Sequence, residues 1–375
     1  MDLPTYAFQR EHFWLASLPV GSVDGSGLGA RAVDHPLLSA EVSLAEGDGL
    51  VLTGRLSLQS HGWLVDHVVL GSVLLPGTAF VELVLYAGER VGCGYLEELT
   101  LQAPLVMPER GGMSLQLSVG GPSADGRRVV SVHSRSAEDA DGEWVRHATG
   151  VLSAVGAGRA VALEEWPPRD ATAVGVDGFY EELLGLGYGY GPAFQGLRAV
   201  WRRGDEVFAE VALPEEISGE GFGVHPALLD SALHAMGLSG GRAEDAGGTG
   251  LPFAWSGVSL HAVGASVLRV RIAPAGSGVS LVLADAVGGP VASVDSLVLR
   301  PVSAEQVQSS GVLRDALFRV GWVEHALGVE GVALDVRVVA ALDVLDAVPG
   351  VVAVSFAEAG SGAGDVVSRT HEVAG

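Results

Sequence analysis

Sulfur ligands are nearly absent from this chain of 375 residues, which contains a single cysteine, Cys93. One thiol forms no internal disulfide and no cysteine-based zinc site, so both of these stabilising devices are excluded. Cys93 lies between Gly92 and Gly94 with no basic side chain beside it, and we interpret it as a small apolar core residue. The sequence predicts no metal site.

Basic residues are also scarce. Lysine and arginine together number 22, against 45 aspartates and glutamates, which gives a net charge of -23 at pH 7. A charge of this sign repels phosphate groups and therefore argues against nucleic acids and anionic membranes as partners. The alternative is that the acidity only keeps the protein in solution.

Long apolar runs are missing as well. No stretch of about 18 uninterrupted apolar residues occurs, so no transmembrane helix is predicted. The N-terminus, MDLPTYAFQREHFWL, lacks the basic start and long apolar core of a signal peptide. We therefore predict a cytoplasmic protein without a membrane partner.

Apolar residues and glycine are abundant instead. The chain is 48% hydrophobic and 18% charged, and its 54 glycines lie mostly between apolar runs. This composition can fill a core and is typical of many short strands joined by tight turns. Half-buried strands are predicted over 50–58, where leucines share one parity, and over 113–119, where apolar residues alternate.

Three segments have a helical pattern, at 76–91, 177–187 and 225–237. The first is apolar nearly all round, which predicts a buried helix. Each half of the chain then has one buried helix among several strands, and this does not fit the regular βα alternation of a doubly wound parallel sheet. We predict an α+β fold in which an antiparallel sheet wraps a helix, present twice. Further strands are predicted at 206–213, 258–262, 267–273, 279–285 and 291–299.

Composition divides the chain into five segments. An aromatic cluster followed by glycine and serine predicts a linker over 1–29. Residues 153–176, rich in alanine, glycine and proline, connect the two predicted halves, 30–152 and 177–305. After Pro301 the character changes, and we interpret 306–375 as the front of another domain.

The first candidate site contains His67, Gly71 and Pro76, spaced H-x3-G-x4-P. The apolar neighbours of His67 disfavour the charged imidazole and keep it neutral, as a base must be. Gly71 lets a substrate approach the backbone closely. If a helix begins near Pro76, amide groups upstream of it can bind an oxyanion. The alternative is a core histidine with a satisfied hydrogen bond.

The second candidate site is GYGYGPAF, residues 187–194. It is not a dinucleotide-binding G-x-G-x-x-G motif, because Tyr190 or Pro192 takes the place of the third glycine and a helical segment precedes it. Glycines such as Gly191 give room, and the tyrosine hydroxyls give hydrogen-bond donors. The alternative is an ordinary turn.

The third candidate site is His225-Pro226-x3-Asp230-x3-His234. With Pro226 in the first helical turn, Asp230 and His234 lie one turn apart on one face. Burial of Asp230 in an apolar helix favours its protonated, proton-donating form, whereas a nearby cation favours the charged form. The alternative is an aspartate placed near a helix N-terminus by the helix dipole.

Together these sites predict a base and an acid, one from each half of the chain. If the two half-domains pack side by side, His67 and Asp230 meet in one cleft. A neutral base facing a protonated acid is what β-elimination of water requires, because a proton leaves beside a carbonyl while the departing hydroxyl is protonated.

The motifs in this order resemble those of dehydratase domains from modular type I polyketide synthases. The resemblance covers roughly residues 30–305. It is carried by HPLL at 35–38, H-x3-G-x4-P at 67–76, GYxYGPxF at 187–194, D-x3-H at 230–234 and LPFAW at 251–255.

The resemblance implies a double hot dog fold and a role for each motif residue. His67 would take the α-proton of a β-hydroxyacyl thioester, and Asp230 would protonate the leaving hydroxyl. His234 would orient Asp230 or the hydroxyl, and Tyr190 would hydrogen bond near the reacting centre. The Gly71 amide would polarise the thioester carbonyl. Pro76, Gly191 and Pro192 are motif residues that support the site.

The resemblance also implies partners. The substrate would arrive on the phosphopantetheine arm of an acyl carrier protein, with no metal or diffusible cofactor. Residues 1–29 resemble the linker after an acyltransferase, and 306–375 the start of a ketoreductase's structural subdomain. A homodimer is the family's usual state. The alternatives are a non-catalytic hot dog spacer or dimerisation domain, and a related hot dog thioesterase or isomerase.

Overall fold

The structure, a computed structural model, describes residues 29–155, 160–238 and 249–309, together with two short strands near the C-terminus. The chain divides into two compact units, Met1–Ala316 and Leu317–Gly375. In the second unit the described part is a parallel pair of strands, Val336–Val339 and Val351–Val354. Residues 1–28, where most of the N-terminal linker is predicted, lie outside the described residues.

The first unit contains seventeen strands and four helices in its described part. The strands are β1 Arg31–His35, β2 Leu38–Ser43, β3 Leu50–Leu56, β4 His67–Val69, β5 Ser72–Val73, β6 Tyr95–Leu101, β7 Met113–Val119, β8 Arg128–Ser136, β9 Val145–Ser153, β10 Thr172–Val174, β11 Tyr188–Tyr190, β12 Leu197–Arg203, β13 Glu206–Ala212, β14 Thr249–Leu260, β15 Val267–Ala275, β16 Gly278–Ala284 and β17 Pro290–Val302. The helices are α1 Gly77–Arg90, α2 Phe179–Gly185, α3 Pro226–His234 and α4 Ala304–Ser309.

Fourteen strands form one antiparallel sheet in the order β1-β2-β3-β7-β8-β9-β6-β14-β17-β16-β15-β13-β12-β10. The first seven come from the N-terminal half, the next six from the C-terminal half and β10 from the segment between them, and the halves join where β6 pairs with β14. β10 lies within the predicted connecting segment 153–176 and pairs with β12 at the sheet edge. The small remaining sheet, β11-β4-β5, carries the candidate site.

Side-chain alternation explains the strands. In β3 Leu50, Leu52 and Leu56 are buried, and in β7 Leu115 and Leu117 are buried, as the predicted parity requires. Each buried leucine stabilises the fold by roughly 1.5–3 kcal/mol. The predicted α+β class, with one buried helix among antiparallel strands in each half, is confirmed.

Each half of the sheet wraps one helix. α1 packs on β6, β7 and β9, whereas α3 packs on β12, β13 and β15. Ten of the fourteen α1 residues are buried, which confirms the prediction made from its nearly uniform apolar surface. The N-termini of the helices meet, because the Thr78 hydroxyl donates a hydrogen bond of 2.9 Å to the Pro226 carbonyl. No helix within the described ranges is long and apolar enough to cross a membrane.

Candidate active site

His67 begins a tight hairpin made by β4 and β5. The two residues that link these strands, Leu70 and Gly71, have φ values of 50° and 80°. Two successive positive φ angles are typical of the type I′ turn that joins antiparallel strands without splaying them. A Cβ atom at Gly71 would meet nothing within 4 Å, so the space beside the backbone is open there. Pro76 follows and caps α1 with an extended backbone.

The hairpin fixes the tautomer of His67. Its Nδ1 lies 2.9 Å from the Leu74 carbonyl, to which it donates a hydrogen bond. The proton of the neutral ring therefore resides on Nδ1, and Nε2 carries the free lone pair. His67 is 3% exposed, and burial lowers its pKa below the usual 6.5, with the attraction of Asp230 acting in the opposite direction. The imidazole is therefore neutral and basic at Nε2 near neutral pH.

The carboxyl group of the site comes from α3. The helix begins with Pro226 at its first position, and the His225 side chain accepts a hydrogen bond from the Ala227 amide. Asp230 and His234 are both buried on the inner face, and Asp230 Oδ2 lies 3.1 Å from His234 Nε2. The same Oδ2 lies 3.7 Å from His67 Nε2. Base and carboxyl therefore converge from the two halves of the chain, as the sequence predicts.

The tyrosine strand closes the site. β11 pairs antiparallel with β4, and Tyr190 stands opposite His67 in the register. The Tyr190 ring lies 4.1 Å from the His234 ring and 5.7 Å from the His67 ring, centroid to centroid. Burial raises the Tyr190 pKa well above 10, so the phenol stays protonated. Its hydroxyl has no hydrogen-bond partner within residues 29–155, 160–238 and 249–309, and it is free to donate to a bound substrate.

Asp66 attaches the tyrosine strand to the histidine strand. Its Oδ2 accepts the Ala193 amide at 2.8 Å, and its main-chain carbonyl accepts the Gly191 amide at 2.8 Å. Pro192 then starts a short 3-10 turn that ends at Phe194. The Phe194 ring is fully buried and lies 4.9 Å from the His67 ring. The GPAF segment is therefore one wall of the site.

Comparison with known proteins identifies the family. A family model described as "Polyketide synthase dehydratase domain" matches residues 35–135, and one described as "Polyketide synthase dehydratase N-terminal domain" matches 158–309. The chain belongs to the dehydratase domains of polyketide synthases.

Individual relatives agree with this assignment. Polyketide synthase GfsA of Streptomyces halstedii is 55% identical over 336 residues, which is 87% of this chain and 4% of GfsA. A solved structure from work on dehydratase substrate selection for the borrelidin and fluvirucin polyketide synthases is 50% identical, with a TM-score of 0.71 over 75% of this chain and 100% of its own. The dehydratase domain from the terminal module of the rifamycin synthase is 52% identical, with a TM-score of 0.69 over 74% and 100%.

These matches confirm the predicted double hot dog and the activity. The dehydratase domain is a hydro-lyase, which removes water from the chain under construction during polyketide extension. The chain spans between 4% and 9% of the length of the synthases GfsA, GfsE and mycoketide-CoA synthase, so it corresponds in length to one part of such an enzyme.

Tyr180 is a site residue that sequence reasoning missed. Its hydroxyl accepts the Leu197 amide at 3.0 Å and lies 3.5 Å from His234 Nδ1. Burial raises the Tyr180 pKa to about 12, so the hydroxyl keeps its one proton, for which the Phe194 carbonyl at 3.4 Å and His234 Nδ1 are both acceptors within reach. In the sequence Tyr180 is one aromatic in the predicted helix 177–187, and no local signal relates it to a residue 54 positions away.

The predicted residues are thus distributed over one small region of the dehydratase domain. His67, Asp230, His234 and Tyr190 meet directly, while Gly71 forms the hairpin tip. Asp66 was also missed, because a carboxylate beside a histidine carries no sequence signal of its own. Among the described residues, no group of three or more His, Cys, Asp or Glu side chains could hold a metal ion.

Proposed function

We propose that His67 and Asp230 dehydrate a β-hydroxyacyl thioester presented on the phosphopantetheine arm of an acyl carrier protein. The observation that carries this proposal is the 3.7 Å separation of His67 Nε2 and Asp230 Oδ2, two buried groups from opposite halves of the fold. A bare imidazole nitrogen and a carboxyl group so placed can act on adjacent carbons of one substrate.

The chemistry proceeds by transfer of two protons. His67 Nε2 takes the proton on the carbon next to the thioester carbonyl, and the released electron pair forms the carbon–carbon double bond. The bond to the β-hydroxyl breaks as Asp230 gives its proton to that oxygen, and water leaves. Each positioned acid or base typically contributes about 10²–10⁴-fold to the rate.

After this step His67 is protonated and Asp230 is ionised, 3.7 Å apart. Transfer of the proton from Nε2 to Oδ2, directly or through the released water, restores the starting state. The Coulomb attraction between the two groups stabilises the charged pair in the meantime. No outside proton donor and no cofactor enters this cycle.

The remaining motif residues position the substrate in this proposal. The Gly71 amide polarises the thioester carbonyl as negative charge develops on its oxygen, with open space beside it for the ligand. Tyr190 donates its free hydroxyl near the reacting centre. His234 holds Asp230 through the 3.1 Å contact, and Pro76 and Pro192 fix the ends of the two loops.

The context of the domain is also part of the proposal. Residues 30–152 and 177–305 are the two hot dog halves, joined by 153–176. Residues 1–29 follow an acyltransferase, and 306–375 lead into a ketoreductase, although residues 1–28, 310–335, 340–350 and 355–375 lie outside the described residues. The domain works as a homodimer with an acyl carrier protein as its substrate-bearing partner. The relatives GfsA and PikAII are polyketide synthases of which this chain covers 4% and 9%, and this supports the proposal.

The test is loss of one water from a β-hydroxyacyl carrier protein, followed by intact mass spectrometry. We expect His67→Ala to abolish turnover and Asp230→Asn to reduce it by at least about 100-fold. His133→Ala is the matched control, since His133 lies on β8, outside the site, and its loss should leave the rate unchanged.

The same spectra separate the alternatives. A hot dog thioesterase would release free acid and leave the unloaded carrier. A spacer domain would leave the loaded carrier unchanged in every variant. A wild-type rate in Asp230→Asn would refute the acid role while leaving the base role open to the His67 variant.

A further inference from the structure

Two buried polar side chains of α1 reach across the boundary between the halves of the fold. Thr78 and Glu82 lie four residues apart on one face of the helix, and both are buried. The other buried residues of α1 are apolar or glycine. A buried hydroxyl or carboxyl group destabilises a fold unless it has hydrogen-bond partners. Both side chains have their partners in the second half, at the start of α3.

The Thr78 hydroxyl contacts the peptide group on which Asp230 depends. It donates a hydrogen bond of 2.9 Å to the carbonyl of Pro226, the first residue of α3. In an α-helix each amide donates to the carbonyl four residues before it, so this carbonyl is also the helical partner of the Asp230 amide. Thr78 itself comes two residues after Pro76, which ends the loop that carries His67. Thr78 therefore connects the chain that follows His67 with the backbone that holds Asp230.

Glu82 holds the segment that leads into α3. Its Oε1 accepts the Gly223 amide at 2.7 Å, and its Oε2 accepts the Val224 amide at 3.1 Å. Two oxygens on two successive amides fix both the position and the direction of the chain, and hydrogen bonds to a carboxylate are stronger than those between neutral groups. His225 follows directly and caps α3. The start of α3 is thus attached to α1 a second time, one turn beyond Thr78.

His35, from the HPLL motif at 35–38, stands behind this carboxyl group. Its Nδ1 accepts the Leu37 amide at 3.1 Å, so the ring carries its proton on Nε2. Nε2 is buried, has no hydrogen-bond partner among the described residues and lies 3.7 Å from Glu82 Oε1. In a buried environment this N–H attracts the carboxylate over that distance. The elimination step gives the HPLL motif no role, whereas this contact places its histidine against the group that holds α3.

The reacting groups depend on these two helices. The His67 hairpin continues through Pro76 into α1, and α3 carries Asp230 one turn from its first residue. The 3.7 Å between His67 Nε2 and Asp230 Oδ2 therefore depends on how the start of α3 lies against α1. Apolar packing between helices is non-directional. The three hydrogen bonds from Thr78 and Glu82 are directional, and they fix this relation.

We propose that Thr78 and Glu82 are positioning residues of the dehydratase, which set the separation of His67 and Asp230 by attaching the start of α3 to α1. They act on the α3 backbone rather than on the substrate. The expected effect on turnover rests on the proposed function, because it takes His67 as the base and Asp230 as the acid. The contacts themselves do not depend on it.

Four variants test this role. Thr78→Val removes the hydroxyl and keeps the shape of the side chain, whereas Thr78→Ser keeps the hydroxyl. Glu82→Gln keeps the size of the side chain but replaces one of its two acceptors with a donor. Ser134→Ala is the matched control, since it removes a buried hydrogen bond of 2.7 Å to His147 within the first half only. Melting curves and steady-state turnover of a β-hydroxyacyl thioester are measured for each variant.

The comparison separates positioning from stability. A displacement of about 1 Å costs roughly 100-fold in turnover, and we expect the partial release in Thr78→Val or Glu82→Gln to lower kcat about tenfold with KM unchanged. Thr78→Ser should keep the wild-type kcat because the donor remains. Ser134→Ala should lower Tm and leave kcat unchanged. If Thr78→Val and Glu82→Gln also lowered only Tm, the proposal would be overturned.

A double-mutant cycle tests whether the effect passes through Asp230. In the Asp230→Asn background, Thr78→Val should change kcat by less than about twofold, because the acid that it positions is already lost. A further loss of about tenfold in that background would mean that Thr78 acts on another group, and it would overturn the proposal. Glu82→Gln takes the place of Thr78→Val in this cycle if the valine variant does not fold.

A crystal structure of Thr78→Val, or of Glu82→Gln in its place, gives a measurement that does not depend on turnover. The separation of His67 Nε2 and Asp230 Oδ2 should exceed 3.7 Å in the variant. An unchanged separation would overturn the positioning role. A wild-type rate in Asp230→Asn would instead refute the acid role in the proposed function, and the measured separation would still decide whether Thr78 and Glu82 set this distance.

Discussion

Gly191→Ala tests whether the contact between the tyrosine strand and Asp66 shapes the catalytic site. A Cβ atom at residue 191 would lie 2.3 Å from Asp66 Oδ1 and 2.5 Å from its Cγ, far inside contact distance. Asp66 cannot turn away freely, because its Oδ2 accepts the Ala193 amide at 2.8 Å. The φ of Gly191 is -87°, so the substitution introduces crowding without backbone strain.

The loss of folding free energy expected for Gly191→Ala follows from these contacts. Forcing a carbon into a packed site costs roughly 1–3 kcal/mol. Alternatively, the crowding is relieved by releasing the partly buried hydrogen bond between the Ala193 amide and the Asp66 carboxylate, which costs about 1.5–3 kcal/mol. Either route moves Asp66, the residue before His67, relative to Tyr190, the residue before Gly191. A displacement of about 1 Å between such groups lowers turnover by roughly 100-fold, so we expect both a lower Tm and a large loss of kcat.

Gly189→Ala on the same strand is the matched control. Its added Cβ would meet Val68 Cβ at 3.3 Å, a close contact that a small shift relieves. Melting curves and steady-state turnover of a β-hydroxyacyl thioester compare the two variants. If Gly191→Ala were as stable and as active as Gly189→Ala, Asp66 would not hold the two strands in register, and our description of the site would be wrong.

Three further outcomes follow from the same contacts. Tyr180→Phe removes the hydroxyl beside His234. We expect kcat to fall by about tenfold with KM unchanged, which is the equivalent of losing one hydrogen bond of roughly 1.4 kcal/mol. An unaltered kcat would contradict the positioning role of Tyr180. Val307→Ala in α4 leaves a gap beside Val69 and Leu74, the residues that support the His67 hairpin. We expect it to lower Tm and to reduce the free energy of unfolding by roughly 1–3 kcal/mol, measured by urea unfolding. An unchanged urea midpoint would show that α4 does not stabilise the hairpin. Because burial lowers the His67 pKa, the acid limb of the kcat/KM profile should fall below the ordinary histidine value of 6.5, and a limb above 6.5 would count against a neutral base.

Local pattern was sufficient to predict most elements of this fold. The nearly uniform apolar surface of residues 76–91 predicts α1, and alternation over 113–119 predicts β7, because these signals depend only on which face of an element is buried. The same holds for Asp230 and His234, whose four-residue spacing places them on one face of α3 whatever surrounds it.

The pairing of β11 with β4 could not be predicted in this way. Tyr190 and His67 are 123 positions apart, and their register depends on the turn at Leu70-Gly71 and on two hydrogen bonds to Asp66. These contacts form only when both halves have folded. The site residues that sequence reasoning missed, Asp66 and Tyr180, are those whose roles arise from such long-range contacts.

Buried neutral histidines make the domain sensitive to acid. Burial lowers the pKa of both His147 and His225 from the usual 6.5 to about 4. In the unfolded chain both titrate near 6.5, so the folded state loses stability as pH falls from 6.5 towards 4 and keeps it above 6.5. At 1.36 kcal/mol per pKa unit each histidine contributes about 3 kcal/mol to this loss, and the pair together about half of a typical folding free energy.

Calorimetry between about pH 4 and pH 6.5, the folded and unfolded pKa values of these histidines, should therefore detect proton uptake on unfolding. The His147 ring donates a hydrogen bond from Nδ1 to the Ala103 carbonyl, and its Nε2 is hydrogen-bonded to the Ser134 hydroxyl. A glutamine side chain also has one donor and one acceptor, but it does not titrate. We expect His147→Gln to take up about one proton fewer than wild type when it unfolds near the middle of this range, even if its overall stability is lower. Equal proton uptake by the two proteins would mean that His147 is already protonated in the folded state, and it would refute the neutral imidazole inferred from its burial against Phe80 and α1.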